Sequence, residues 1–150
     1  MPGVIATCVG YTQGKVEKPT YNEVCSETTG HTEAIQVTYD ENEVTYKELL
    51  DLFWERLGGD ATRLNQAGND FGTQYRHGIY CHTSEQLQLA QQSLQEQQTK
   101  FRGQIVTEVE SATVFWPAEE YHQQYLQKGG RFGVPQSAEK GATETIRCYG

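Results

Sequence analysis

Ala34-Ile35-Gln36-Val37-Thr38-Tyr39-Asp40, followed shortly by Thr45-Tyr46-Lys47-Glu48-Leu49-Leu50-Asp51-Leu52-Phe53-Trp54-Glu55-Arg56-Leu57-Gly58-Gly59, is where the chain changes period. In the first run Ile35, Val37 and Tyr39 alternate with polar residues, the period-two pattern of a strand. In the second, Thr45 and Glu48 are spaced as a capping box, and Val44 with Leu49 as a hydrophobic staple. Leu49, Leu50, Phe53 and Leu57 then recur at helical spacing, and Gly58-Gly59 supplies the stop. A strand that hands over to an amphipathic helix is one repeat of a layered fold.

Working outward, Val4 to Tyr11 reads as an earlier strand, joined by a Gly/Pro/Asn-bearing loop through Tyr21. Downstream, Asp60 to Gln74 is a polar loop, and Tyr75 to Cys81 a strand with Tyr75, His77, Ile79 and Cys81 on one face. Thr83-Ser84-Glu85-Gln86 caps a second helix with apolar positions Leu87, Ala90 and Leu94. Ile105 to Val109 reads as a short strand, and Glu119 to Lys128 as a third helix stopped by Gly129-Gly130. From Arg131 the chain is Gly-rich. The expectation is an α+β fold: a two-layer α/β sandwich with a central mixed sheet and a long irregular C-terminal tail, in a single domain over residues 1–150.

Charge excludes one class of partner. Lys+Arg 12 against Asp+Glu 20 gives a net charge of −8, which repels a phosphate backbone, so no nucleic acid is expected. No apolar run approaches the ~20 residues of a membrane span. Met1-Pro2-Gly3-Val4 carries no basic flank before an apolar stretch, which argues against a secretory signal. Cys8, Cys25, Cys81 and Cys148 lie far apart with no C-x-x-C pair, so zinc and other cofactors are not expected. Such cysteines suit a reducing compartment. The expected location is the cytoplasm, or a plastid if the polypeptide begins upstream of Met1.

Four stretches carry chemistry. They are Pro19-Thr20-Tyr21-Asn22-Glu23-Val24-Cys25-Ser26 with Gly30-His31-Thr32-Glu33-Ala34, and Gly68-Asn69-Asp70-Phe71-Gly72-Thr73-Gln74-Tyr75-Arg76. The others are Ala118-Glu119-Glu120-Tyr121-His122-Gln123-Gln124-Tyr125-Leu126 and Ile146-Arg147-Cys148-Tyr149-Gly150. Taken in this order, from Pro2 to Gly150, the chain resembles the methionine sulfoxide reductase A family, with a tail like that of plant and algal members. Reduction of a sulfoxide needs a thiolate to attack sulfur and an acid to protonate the departing oxygen. The resemblance implies Glu33 as that acid, its pKa raised by an apolar pocket. It implies Tyr21 and Tyr75 as donors to the sulfoxide oxygen and Asp70 as an organiser of the site. It further implies Cys148 as the thiol that resolves the oxidised nucleophile into a disulfide, for thioredoxin to reduce. The partners implied are thioredoxin and proteins containing methionine sulfoxide. His31 and His122 lack partners for a metal site and read as structural, and Cys25 as a packed core thiol.

The family's nucleophile lies in a Gly-Cys-Phe-Trp-Gly motif, and these 150 residues contain none. Smaller departures flank the site: Leu57-Gly58-Gly59-Asp60 stands where the family has His-Asp-Pro, Gln66-Ala67 interrupts its Asn-Arg-Gln-Gly-Asn-Asp, and Ala142 stands near a second tail cysteine. Neither Cys8 nor Cys81 nor Cys148 is placed by sequence at a helix N-terminus that would activate a thiol. Two readings follow. One is a reductase whose start lies upstream of Met1, with a cysteine or, as in some algal members, a selenocysteine there. The other is a non-catalytic binding module or subunit that kept the pocket loops, its missing layer covered by a partner chain. Under both, the chain as written is expected to be inactive.

Overall fold

The computed structural model describes residues 1–67 and 70–119, with the side chains of Ala67 and Asp70 left aside. Its elements are β1 (Val4–Thr12), α1 (Tyr21–Cys25), β2 (Thr32–Tyr39), α2 (Tyr46–Leu57), β3 (Gln66–Ala67), β4 (Asp70–Phe71), β5 (Gly78–Cys81), α3 (Ser84–Gln98), β6 (Glu108–Ser111) and β7 (Phe115–Pro117). The α+β class holds, and both strand orientations occur. β2-β1-β7 is an antiparallel sheet, β3 and β4 form an antiparallel pair, and β5 and β6 pair in parallel. The third helix and the irregular tail expected from sequence lie outside the described residues.

β1 is the strand with a neighbour on each side. Its register with β2 sets Tyr11 opposite Glu33 and Thr12 opposite Thr32, while β7 sets Trp116 opposite Tyr11. β7 comes so close that a Cβ on Gly10 would collide with the Trp116 carbonyl and the Phe115 ring. Glycine is the residue that allows this approach. Beyond β7 the Ala118 N–H donates to the Val9 carbonyl at 2.8 Å, which carries the chain back along β1.

α2 forms where its pattern predicts. The Thr45 hydroxyl accepts the Glu48 N–H at 3.1 Å, and Gly58, with φ 55, ends the helix in a conformation that glycine reaches without strain. Its buried side chains are Leu50 and Trp54. Trp54 rather than Leu49 completes the stripe, because its indole lies inward and donates Nε1–H to Ser93 Oγ at 3.0 Å on α3. Phe53 meets it edge-on at 5.0 Å between ring centroids. Leu50 and Trp54 join Ala61, Ile79, Cys81, Ala90 and Ile105 in the larger core, with Leu87 and Leu94 packed against it.

Three expected boundaries shift. Thr73–Tyr75 is a 3-10 turn and not the start of β5: the Tyr75 N–H turns back to the Gly72 carbonyl at 3.0 Å and the Arg76 N–H to Thr73 at 3.2 Å. The alternation survives in burial, since Tyr75, His77, Ile79 and Cys81 are all buried. The strand expected from Ile105 begins at Glu108, where the four-residue β5 offers a partner. Ile105 and Val106 bond instead to Gln98 Oε1 and the Ala61 carbonyl, both at 2.9 Å. The stretch through Tyr21, expected to be loop, ends in the one-turn helix α1. No helix among the described residues is long and apolar enough to cross a membrane.

The packing of Trp54 gives a direct test. Trp54→Ala leaves a cavity and removes the donor to Ser93 Oγ, and should cost about 3–5 kcal/mol, whereas Leu52→Ala, at a side chain 37% exposed, should cost less than about 1 kcal/mol. Urea unfolding midpoints of the two variants distinguish them; equal costs would mean that α2 presents a different face to α3.

Candidate active site

Three separate segments bring the candidate residues together. The first is α1, whose N-cap is Thr20. The Thr20 hydroxyl accepts the Glu23 N–H at 3.2 Å, and Glu23 Oε1 accepts the Thr20 N–H at 3.1 Å. This reciprocal box makes a five-residue helix worth forming. Val24, buried in a small core with Tyr11 and Ala118, pins it to β1. Tyr21 and Cys25, four apart, therefore share a face, and their side chains are hydrogen-bonded to each other.

The second segment is the start of β2, which carries Glu33 directly across from Tyr11. The third is the turn bearing Tyr75. The Thr32 hydroxyl donates to the Arg76 carbonyl at 2.7 Å, and Glu27 Oε1 accepts the Thr73 N–H at 2.8 Å. Arg76 adds a bond to the Gly30 carbonyl at 2.8 Å and an ion pair with Glu108 at 3.2 Å. Tied to β2 in this way, Tyr75 brings its side chain close enough to Tyr21 to act on the Tyr21 hydroxyl. The Tyr75 hydroxyl oxygen and Glu33 Oε1 are both buried.

Burial, then the Cys25 and Tyr75 side chains beside it, pushes the Tyr21 hydroxyl far above the usual tyrosine range, so it stays a donor. Burial also raises the Cys25 thiol; the Tyr21 bond pulls the other way, and the Glu33 and Glu119 carboxylates add to the rise. At neutral pH Cys25 is therefore a thiol and a poor nucleophile. Cys81 is buried at the end of β5, bonded to the Tyr46 hydroxyl at 3.5 Å, and raised by its burial. Cys8 lies within β1. Two phenolic hydroxyls and a carboxyl are groups of the kind that can hold an oxygen atom and protonate it. Among the described residues no group of three or more His, Cys, Asp or Glu is placed to hold a metal ion.

Of the residues expected from sequence, Tyr21 and Tyr75 come near each other, and Glu33 lies close enough to Cys25 for its carboxylate to raise the thiol. Asp70 falls in β4, but its side chain lies outside the described residues, as do Cys148 and His122. His31 is structural: it is 2% exposed, its Nδ1 accepts the Gly14 N–H at 3.1 Å, and its Nε2 therefore donates to the Val16 carbonyl at 2.7 Å. Cys25 is corrected from core thiol to half-buried wall of the site, because α1 turns its side chain toward Tyr21. Sequence reading passed over Tyr11 and Glu119. Glu119 stood inside a quoted motif, but its partners are 98 and 108 residues away.

Residues 1–147 match the family described as peptide methionine sulfoxide reductase. A relative of that name from Brassica napus is 56% identical over 150 residues, all of this chain and 58% of the relative, so the chain spans less than two thirds of that relative's length. The fold is similar to Mxr1 from Saccharomyces cerevisiae in reduced form, with a TM-score of 0.81 at 33% identity over 98% of this chain and 77% of that one. It is also similar to Mxr1 in complex with Trx2, with a TM-score of 0.55 at 25% identity over 79% of this chain and 65% of that one.

The raised hydroxyls and thiols have a pH signature. Tyr21, Tyr46, Tyr80, Cys25 and Cys81 hold their protons more tightly folded than unfolded. Their stabilisation is complete below the ordinary thiol value of 9.0 and is lost as pH rises through it and past the tyrosine value of 10.0. Urea unfolding from about pH 8 to about pH 11 should show a falling unfolding free energy; a flat or rising profile would contradict the burial of these groups.

Proposed function

This chain belongs to the peptide methionine sulfoxide reductase family, and from that premise we propose that its Tyr21–Tyr75–Glu33 corner receives the oxygen of a methionine-S-sulfoxide side chain. The observation that carries the proposal is that the Tyr75 side chain comes close to Tyr21, with the Tyr75 hydroxyl oxygen and Glu33 Oε1 both buried. Tyr21 and Tyr75 donate to the sulfoxide oxygen, polarising the sulfur–oxygen bond and turning the sulfur outward. Glu33 supplies the proton as a thiolate attacks that sulfur; methionine leaves, and the oxygen remains on the oxidised nucleophile. Asp70, which opens β4, is proposed as the organiser of the corner. Cys148 then attacks the oxidised thiol and expels water, and the resulting disulfide takes two electrons from a dithiol. The complex of a similar protein with Trx2 supports thioredoxin as that dithiol, and proteins containing methionine sulfoxide are the proposed substrates.

The attacking thiolate is the part these 150 residues do not supply. No Gly-Cys-Phe-Trp-Gly occurs in them, and burial keeps both Cys25 and Cys81 protonated. We therefore propose that the chain as written binds without turning over, the behaviour of a non-catalytic module, and that activity requires a nucleophile from outside it.

The test is turnover of N-acetyl-methionine-S-sulfoxide with dithiothreitol. The 150-residue chain should show none, while the same chain joined at its N-terminus to a family Gly-Cys-Phe-Trp-Gly segment should show it. In the joined form Glu33→Gln should lower kcat about 10²–10⁴-fold, and Tyr21→Phe about tenfold because Tyr75 still donates. Turnover by the unextended chain would make one of its own cysteines the nucleophile, and an unaffected Glu33→Gln would remove the acid assigned here.

A further inference from the structure

The Glu119 carboxylate has both oxygens occupied, on two different elements. Oε1 accepts the backbone N–H of Tyr21 at 2.9 Å. That N–H opens α1 and has no carbonyl partner within its own helix, while the Thr20 cap serves Glu23 instead. Oε2 accepts the Tyr11 hydroxyl at 3.0 Å. Tyr11 is 0% exposed and its neighbour in that core, Ala118, 8%, so the bond is made against a wall of apolar atoms. The Ala118 N–H on the Val9 carbonyl fixes the backbone just before the carboxylate. Glu119 thus joins β1 to the first residue of α1 from the end of the segment that follows β7.

We propose that Glu119 is a positioning residue of this site: by gripping the Tyr21 backbone and the Tyr11 hydroxyl at once, its carboxylate fixes the ring of Tyr21 where it reaches both Cys25 and Tyr75. The inference rests on the reading that Tyr21 meets the sulfoxide oxygen, and it adds the group that aims it. Without the carboxylate, Val24 still packs on β1, but the N-terminal end of α1 loses the charged anchor that ties it to the strand. Tyr21 sits at that end, so its ring is the part set free. A bond to a charged acceptor is about twice as strong as a neutral one, which suits a short helix that cannot hold its own first turn.

Cys25 reports on Tyr21 without any need for sulfoxide chemistry, because the Tyr21 hydroxyl donates to it and makes its thiolate easier to form. The experiment is a double-mutant cycle. Alkylation of Cys25 by iodoacetamide is followed against pH, with mass spectrometry of its peptide, for Tyr21→Phe in three backgrounds: wild type, Glu119→Gln and Glu119→Ala. Glutamine accepts the Tyr21 N–H through its oxygen and donates its amide to Tyr11, so it keeps the geometry and removes the charge. The expected result is that Tyr21→Phe slows Cys25 alkylation by about threefold to tenfold at fixed pH in wild type and in E119Q, and has little effect in E119A. An equal effect in all three backgrounds overturns the proposal. If E119A does not fold by circular dichroism, Glu119→Asp carries the test: one methylene shorter, it can hold one partner but not both, so the effect of Tyr21→Phe should shrink. Coupling that holds while the nucleophile-bearing chain shows no turnover supports the role of Glu119 and overturns the sulfoxide reading alone.

Discussion

Everything described at the site hangs on β1 being paired on both edges. β2 on one side fixes Glu33 opposite Tyr11, and β7 on the other brings the following residues back along the strand. Side-chain alternation then does the rest, since a slip of one residue would turn Tyr11 and Glu33 to the opposite face. The register is held against such a slip at several points. Gly10 leaves room for β7 and for no side chain, and Gln13 Oε1 accepts both the backbone N–H and the hydroxyl of Thr113 at 2.9 Å. The Thr12 hydroxyl reaches the Val114 carbonyl at 3.0 Å.

The larger core and the site sit on different parts of this frame. Leu50, Trp54, Ala90 and Ile79 fill the space between α2, α3 and β5, whereas Tyr11, Val24 and Ala118 make a separate cluster under α1. The turn bearing Tyr75 connects the two, held to β2 by Thr32 and to β6 by Arg76 on Glu108. Glu108 also accepts the Tyr80 hydroxyl at 2.8 Å. The candidate corner is thus supported from two sides by ordinary packing.

What the sequence discloses follows the range of the forces involved. α2 and α3 are legible because their caps, Thr45 and Thr83, and their apolar spacing act within a few residues. Leu49 was assigned to the buried stripe in place of Trp54 because periodicity gives the angle of a face but not where the neighbouring helix lies. The box of Thr20 and Glu23 is written in the sequence, yet Pro19 and the glycines before it suggest loop. β7 gives no local sign at all: three residues ending in proline become a strand only because β1 presents an open edge. At the site, Tyr21, Glu33 and Tyr75 each stand within a motif, and family resemblance is what singles them out. The part played by Cys25 was not legible, because α1 decides which way its thiol points. Nor was that of Glu119, because no local pattern ties a carboxylate to a strand made a hundred residues earlier.

That distance has a consequence in time. Tyr11 and Glu119 are separated by 108 residues, and Gln13 and Thr113 by 100. Closing so long a loop costs entropy before any bond repays it, and contacts of this separation form slowly. On a growing polypeptide β1 emerges long before β7: it can zip with β2 almost at once, while its pairing with β7 waits for the later segment. The helical core between α2 and α3 needs no such wait. The corner that holds Tyr21 is therefore among the last parts of the molecule to be assembled, and a chain caught partway would already own its helices while lacking its chemistry.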